Sequence, residues 1–277
     1  MRNRTIHRRA GWPRATLVIC AAGLAAAVGL DLVSCGAETS GQEITFATAI
    51  SGGAGEGTAQ EFTTYAGWRV KLDQAYVAVG PIYYYEGEPQ ASLLQRILGP
   101  GVARACPTHA QYNKGTVLGE ILEQHVVDLL AATPTDTGQV FGLAGTCRAV
   151  ELHLHPLGEI SAGSPAAAFD ALGGDTVHLS GSAEKEGQTV RFSGGMTIPD
   201  EGLMQIVESI SADVSLEPDA AGTLVVEVLL DQWLASVDFS SLTEKQGDDY
   251  RFTENTQAYN ALLRGIRSRG AYRVSWR

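Results

Sequence analysis

Short runs of alternating apolar and polar residues, separated by glycine and proline, dominate the chain after residue 42. The stretch 176–196, "TVHLSGSAEKEGQTVRFSGGM", alternates on both sides of a turn near Lys185–Gln188 and predicts a β-hairpin. The stretch 208–230, "ESISADVSLEPDAAGTLVVEVLL", has the same form and predicts a second hairpin, interrupted at Pro218–Gly222. A period of two is typical of strands, because successive side chains then point to opposite faces of a sheet.

One segment near the end of the chain has a different period. In "TENTQAYNALLRGIRSRG", residues 253–270, the apolar residues Tyr259, Leu262, Leu263 and Ile266 recur at helical spacing. The segment predicts a short helix, followed by a closing strand at "AYRVSW". Many strands and few helices together predict an all-β, mainly antiparallel fold. We expect a β-sandwich with one short C-terminal helix, for which Greek-key or immunoglobulin-like connections are one option.

The first 35 residues have the layout of an export signal. "MRNRTIHRRAGWPR" carries five arginines and no acid, and an apolar run of 16 residues follows. That run is shorter than the roughly 20 residues that span a membrane. The next residues, Leu32-Val33-Ser34-Cys35, resemble the bacterial lipobox. The resemblance implies acylation of Cys35 and cleavage just before it, so that lipid chains anchor the protein to a membrane.

The signal defines the predicted organisation of the chain. We expect a lipoprotein signal peptide at 1–34, a lipidated cysteine and tether at 35–42, and a single β-sandwich domain at 43–277. Gly36 follows the cysteine, where an aspartate would imply retention in the inner membrane. By the same resemblance we expect the outer membrane of a Gram-negative cell, on either its periplasmic or its surface side.

Three further stretches, "GWRVKLDQAYVAVGPIYYYEG", "CPTHAQYNKGTVLGE" and "LLDQWLASVDFSSL", resemble a group of poorly characterised bacterial lipoproteins with β-rich ectodomains. This resemblance implies a location in the cell envelope and a β-rich fold. It implies no particular chemistry.

The charge of the chain excludes one class of partner. The whole sequence has 20 basic and 31 acidic residues. Removing the five arginines and one aspartate of residues 1–34 leaves 15 basic and 30 acidic residues, a net charge of −15. A protein this acidic is not drawn to nucleic acid, whose phosphates need basic partners.

Two cysteines remain once Cys20 leaves with the signal and Cys35 is acylated. Exported proteins fold in an oxidising compartment, so Cys106 and Cys147 are predicted to form a disulfide. Such a bridge would add about 4 kcal/mol in the chain-entropy model. Two free or metal-binding thiols are the alternative.

The segment "CRAVELHLHP", residues 147–156, carries the candidate metal ligands. On a strand, His153 and His155 point to the same side, together with Glu151, a further candidate ligand. The opposite side, with Val150, Leu152 and Leu154, is predicted to face the core, which would make the histidine side either a polar face or the wall of a cleft. Imidazole nitrogens are good ligands for zinc and copper, but a tight site needs a third ligand. His109 is the predicted third ligand, because the expected disulfide ties its loop to this strand. An ordinary solvent-facing strand side is the competing interpretation.

No motif in the sequence indicates catalysis. The chain has no H-E-x-x-H, no G-x-S-x-G, no P-loop and no strand-linked G-x-G-x-x-G. The first hypothesis is therefore a non-catalytic, lipid-anchored protein that binds an envelope protein or glycan, or that has a structural role. The second is a lipoprotein that binds zinc or copper through His153, His155 and His109. The third and weakest is an enzyme that acts on envelope polymers.

Overall fold

Three β-sheets make up most of the computed structural model, which describes residues 41–87, 115–156, 158, 166–201, 203–218 and 221–277. The strands are β1 (Glu43–Gly53), β2 (Glu61–Thr63), β3 (Arg69–Val79), β4 (Ile82–Tyr85), β5 (Val117–Ile121), β6 (His125–Asp128), β7 (Thr135–Leu143), β8 (Gly145–His153), β9 (Val177–Lys185), β10 (Gln188–Met196), β11 (Ile206–Leu216), β12 (Thr223–Leu229), β13 (Lys245–Gln246), β14 (Asp249–Tyr250) and β15 (Tyr272–Trp276). The α-helices are α1 (Ala166–Leu172), α2 (Leu230–Trp233) and α3 (Gln257–Ile266), and 3₁₀ turns lie at Phe239–Ser241 and Arg269–Ala271.

The strands pair mainly in antiparallel fashion. The first sheet has the order β15-β12-β1-β7 and the second the order β13-β14-β10-β9-β3-β2, with β6 also paired to β3. The third sheet has the order β11-β8-β4-β5. Only two of the described pairs are parallel, β1 with β12 and β10 with β14. Apolar residues from all three sheets form one main core. The predicted all-β, sandwich-like fold with a short C-terminal helix is thus confirmed.

Burial along β3 changes where helix α1 covers the sheet. In its first half Val70 and Leu72 are buried while Lys71 is exposed, as alternation predicts. Farther along, Tyr76 and Ala78 are buried as well. They pack with Val126 of β6 and with Ala168 and Leu172 of α1 in a second apolar cluster. A strand covered on both faces loses its alternation, because neither face contacts water.

The first predicted hairpin is confirmed and the second is wrong. Strands β9 and β10 pair in register across a two-residue turn, Glu186–Gly187, in which both residues have positive φ. This conformation matches the twist of the flanking strands. Strands β11 and β12, in contrast, lie in different sheets: β11 pairs with β8, and β12 pairs with β1 and β15. Alternation identified both strands, but it carries no information about their partners.

The C-terminal helix forms where the helical spacing predicted it. The Thr256 hydroxyl accepts a hydrogen bond from the Tyr259 backbone N–H at 3.2 Å, which caps the helix N-terminus. The predicted apolar positions Tyr259, Leu262, Leu263 and Ile266 are all buried. Strand β15 then returns to the first sheet beside β12.

All described residues belong to one compact unit, Glu38–Arg277. Within the described ranges, no helix has the length and apolar character needed to cross a membrane. Cys35, Cys106 and His109 lie outside the described residues.

Candidate metal centre

The segment that carries His153 lies in the third sheet, on strand β8. This strand runs between β4 and β11, with Tyr83 of β4 directly opposite Glu151 and Ile206 of β11 opposite His153. Backbone hydrogen bonds hold His153 on one side, since its N–H donates to Pro81 O at 3.0 Å and its carbonyl accepts from Gly80 N at 2.8 Å. The backbone at the end of β8 is therefore firmly placed.

The interpretation of the histidine side of β8 as an ordinary solvent-facing side is wrong between Cys147 and Glu151. Leu152 and Val150 are buried as expected, but Cys147, Ala149 and Glu151 on the other face are buried too, and Glu151 is only 3% exposed. Tyr83 lies opposite Glu151 on the neighbouring strand, and His153 contacts the Glu151 carboxylate. These neighbouring rings contribute to the burial of Glu151. A polar strand face can be covered by neighbours that the local sequence does not reveal.

Glu151 and His153 form a buried hydrogen-bonded pair. His153 Nε2 lies 2.9 Å from Glu151 Oε1. The His153 side chain is 16% exposed and the Glu151 side chain 4% exposed. The ring nitrogen is the donor of this hydrogen bond when the carboxylate is ionised. A carboxyl group buried this well requires a hydrogen-bond partner.

His155 lies beyond the end of β8, and two glutamines place it. Its Nδ1 is hydrogen bonded to the side-chain oxygen of Gln205. The side-chain amide of Gln124 donates to His155 O at 3.1 Å and to Pro156 O at 3.2 Å, and its oxygen accepts from Gly158 N at 2.8 Å. Sequence reasoning missed both glutamines, because they are 50 and 31 residues away from His155.

The two imidazoles are neighbours, as the sequence predicted. Their ring centroids are 5.6 Å apart, with the ring planes tilted by 48°. The Tyr83 ring meets His153 edge to face at 5.5 Å and is stacked on Tyr85 at 6.3 Å. A row of four rings therefore follows the outer side of this sheet, with the histidines at one end.

The spacing of the rings suits a shared metal ion. An ion bound at about 2 Å by two imidazoles lies about 3 Å from each ring centre, so the centroids are about 5 to 6.5 Å apart. The observed separation of 5.6 Å falls in this interval. Among the described residues, however, no three His, Cys, Asp or Glu side chains are grouped to hold a metal. The predicted third ligand, His109, is outside the described part of the chain.

Cys147 lies at the other end of the same sheet. It is fully buried, its thiol contacts Ala149 O at 3.7 Å, and burial raises its pKa to about 12.

Strands β4 and β5 meet at this end, where Glu86 N donates to Thr116 O at 3.0 Å. The described chain stops at Gly87 and resumes at Gly115, next to the strands at this end of the sheet, and residues 88–114 with Cys106 and His109 are outside the described ranges. Six strand residues, about 20 Å, separate Cys147 from His153.

The remaining described histidines, His125 and His178, lie in the second sheet. Burial lowers the pKa of each of them below the usual value of 6.5. His178 stacks on Tyr76 with centroids 6.3 Å apart, beside the apolar cluster of helix α1. Neither histidine joins a group of metal-ligating side chains within the described ranges.

Comparisons with known proteins assign neither a family nor an activity. No family model matches the chain, and no curated protein is similar to it. The solved structure of MbnP from Methylosinus trichosporium aligns with 85% of this chain and 99% of its own, at 11% identity and a TM-score of 0.44. A likeness at that level supports no inference about function.

Proposed function

We propose that this protein is a non-catalytic, lipid-anchored protein of the cell envelope that binds a transition-metal ion, zinc or copper, through His153 and His155. The observation that carries the proposal is the pair of half-buried imidazoles, 5.6 Å apart, at the end of β8. Their spacing matches two ligands of one ion. Hydrogen bonds from the rings to Glu151 and Gln205 hold both imidazoles in place.

The chemistry of the pair favours zinc or copper over calcium or magnesium. Imidazole nitrogen binds zinc and copper well, whereas calcium and magnesium prefer oxygen ligands. After cleavage before Cys35 the protein would have a formal net charge of −15, which raises the local concentration of cations near its surface. A third ligand completes the site, and His109 is our candidate for it.

Metal binding is tested by titrating the protein, purified without a His-tag, with Zn²⁺ and separately with Cu⁺ against a competing chromophoric chelator. We expect one ion per chain, and at least 100-fold weaker binding when His153 and His155 are both replaced by alanine. His178→Gln is the matched control, since it removes one imidazole far from the pair, and it should bind as the unchanged protein does. Equal affinity in the double variant and the unchanged protein would refute the proposal.

A second arm of this titration tests the third ligand. His109→Ala should weaken binding by at least 10-fold if this side chain completes the site. Unchanged affinity in His109→Ala, together with loss in the double variant, would assign the third position to another group.

Anchoring by Cys35 is a separate part of the proposal. Acylation there would hold the domain at the membrane, with an envelope protein or glycan as a further partner. We expect acyl labelling and globomycin-sensitive processing of the unchanged protein, both lost in Cys35→Ser. Secretion of a soluble, unlabelled form of the unchanged protein would overturn this part.

The Cys106–Cys147 disulfide is proposed from the oxidising compartment and from the position of Cys147 beside the ends of segment 88–114. Peptide mapping of non-reduced protein should yield one cross-linked peptide pair. Alkylation of both thiols without prior reduction would contradict it.

A further inference from the structure

We infer that the two histidines offer different ring nitrogens to the metal, Nδ1 of His153 and Nε2 of His155, and that Glu151 and Gln205 are the positioning residues that select them. This inference rests on the proposed metal-binding function. It names the liganding atoms and two residues that do not themselves bind the ion.

The hydrogen bond to Glu151 selects the nitrogen of His153. Nε2 lies 2.9 Å from Glu151 Oε1, and we assign the ring proton to this nitrogen because an ionised carboxylate only accepts hydrogen bonds. A neutral imidazole has one protonated nitrogen and one free lone pair. The lone pair of His153 is therefore on Nδ1.

Gln205 selects the opposite nitrogen of His155. The Gln205 amide N–H donates to Ile198 O at 2.9 Å, which turns its oxygen towards His155 Nδ1. Because this oxygen only accepts, Nδ1 of His155 carries the proton and Nε2 has the lone pair. Gln205 is 4% exposed, and its backbone carbonyl also accepts from Leu154 N at 2.7 Å. The side chain and the backbone of Gln205 therefore both contact the segment 154–155.

The arrangement resembles a general device of metal sites. Ligating histidines usually donate their second ring N–H to a carboxylate or a carbonyl oxygen, which fixes the ring and its tautomer. Here a carboxylate and an amide oxygen serve the two rings. Loss of such a partner typically weakens metal binding 10- to 100-fold.

The tautomers can be measured before any metal is added. Long-range ¹H–¹⁵N correlation spectra of the metal-free protein, at a pH where the rings are neutral, should show Nε2–H for His153 and Nδ1–H for His155. The same tautomer on both rings would overturn the inference. This measurement on the unchanged protein decides the matter even if a variant fails to fold.

Two variants separate positioning from simple loss of structure. In Gln205→Leu, we expect His155 to lose its Nδ1–H preference while His153 keeps Nε2–H, and metal binding should weaken 10- to 100-fold. Gln205→Glu keeps an acceptor beside Nδ1, although it loses the N–H that donates to Ile198 O, and it should restore the Nδ1–H tautomer. Gln188→Leu, on the exposed β9–β10 hairpin, is the matched control and should change neither reading.

The ring tautomers and the metal affinity are separate measurements, so together they distinguish this inference from the proposed function. Distinct tautomers without metal binding would refute the metal site while leaving the tautomer assignment intact. Metal binding by a pair whose tautomers do not differ, or do not respond to Gln205→Leu, would refute the positioning roles.

Discussion

The four described histidines fall into two groups, and the fold treats them differently. His153 and His155 each have a ring nitrogen hydrogen bonded to a buried side chain, Glu151 or Gln205. His125 Nε2 and His178 Nδ1 are also buried, but have no hydrogen-bond partner among the described residues. The same residue type is oriented by polar partners in the third sheet and packed largely as an apolar ring in the second.

This difference shows where a polar side chain has a defined orientation. A hydrogen-bonded imidazole has one preferred ring position and one tautomer, which a binding site requires. A ring held by stacking alone, such as His178 on Tyr76, lacks that constraint. Partners that are themselves buried, as Glu151 and Gln205 are, make the constraint rigid.

The largest expected loss of stability comes from removing a buried leucine beside either group of histidines. Leu154, beside His153 and His155, and Leu172, in the cluster that covers Tyr76, are each 1% exposed. Replacing either by alanine should lower the free energy of unfolding by about 2–5 kcal/mol, through lost burial and a residual cavity. Urea denaturation measures both losses, and only Leu154→Ala should also weaken metal binding. Equal weakening by Leu172→Ala would show that the two regions are not independent.

The next prediction concerns the partner of His153. Glu151→Ala removes the acceptor of a buried ring N–H and should cost about 1–3 kcal/mol in the free energy of unfolding. Glu184→Ala is the matched control, because Glu184 is 47% exposed and pairs with Arg69 at the surface. Solvent screens a pair this exposed, so it should contribute little to stability. Equal losses in urea denaturation would mean that the buried hydrogen bond adds no more than an exposed ion pair.

A smaller effect is expected at His178. The Phe variant keeps an aromatic ring against Tyr76 and removes a nitrogen that has no partner in the described part of the chain. Its free energy of unfolding should change by less than about 1 kcal/mol, whereas His153→Phe should cost about 1–3 kcal/mol by removing the hydrogen bond to Glu151 Oε1. Thermal and urea denaturation of both variants test this contrast. A loss in His178→Phe as large as in His153→Phe would contradict it.

The smallest predicted effect is a dependence on pH. Burial lowers the pKa of His125 and His178, while Asp175 opposes the shift at His178, and Glu123 and Asp136 oppose it at His125. Below about pH 6.5 the unfolded chain binds protons more readily than the folded protein, so stability should fall as the pH drops from 8 to 5.5. Urea denaturation across this range should show a smaller slope for His178→Phe. An unchanged slope would refute the contribution of this histidine.

Much of the architecture followed from local patterns. Alternation and the turn at Glu186–Gly187 predicted the β9–β10 hairpin, and helical spacing predicted α3. The pairing of β11 with β8 and of β12 with β1 was missed. These pairings join distant segments, and a strand's period does not specify its partner.

The candidate site was predicted in part. The i, i+2 spacing of His153 and His155 correctly predicted neighbouring rings. The burial of Glu151 was not predicted, because it depends on neighbours such as Tyr83 on β4. The place of His155 was predicted from strand geometry, yet β8 ends at His153 and Gln205 and Gln124 hold the next residues.

The sequence by itself determined the β9–β10 hairpin, the strands β11, β12 and β15, the C-terminal helix and which two histidines are neighbours. Each of these depends on the period of side chains along a few consecutive residues. Only the tertiary structure decided that the polar face of β8 is buried, and that two distant glutamines orient the second histidine. Burial and long-range hydrogen bonds arise from sheet pairing and packing between segments far apart in the chain, and local periodicity does not encode them.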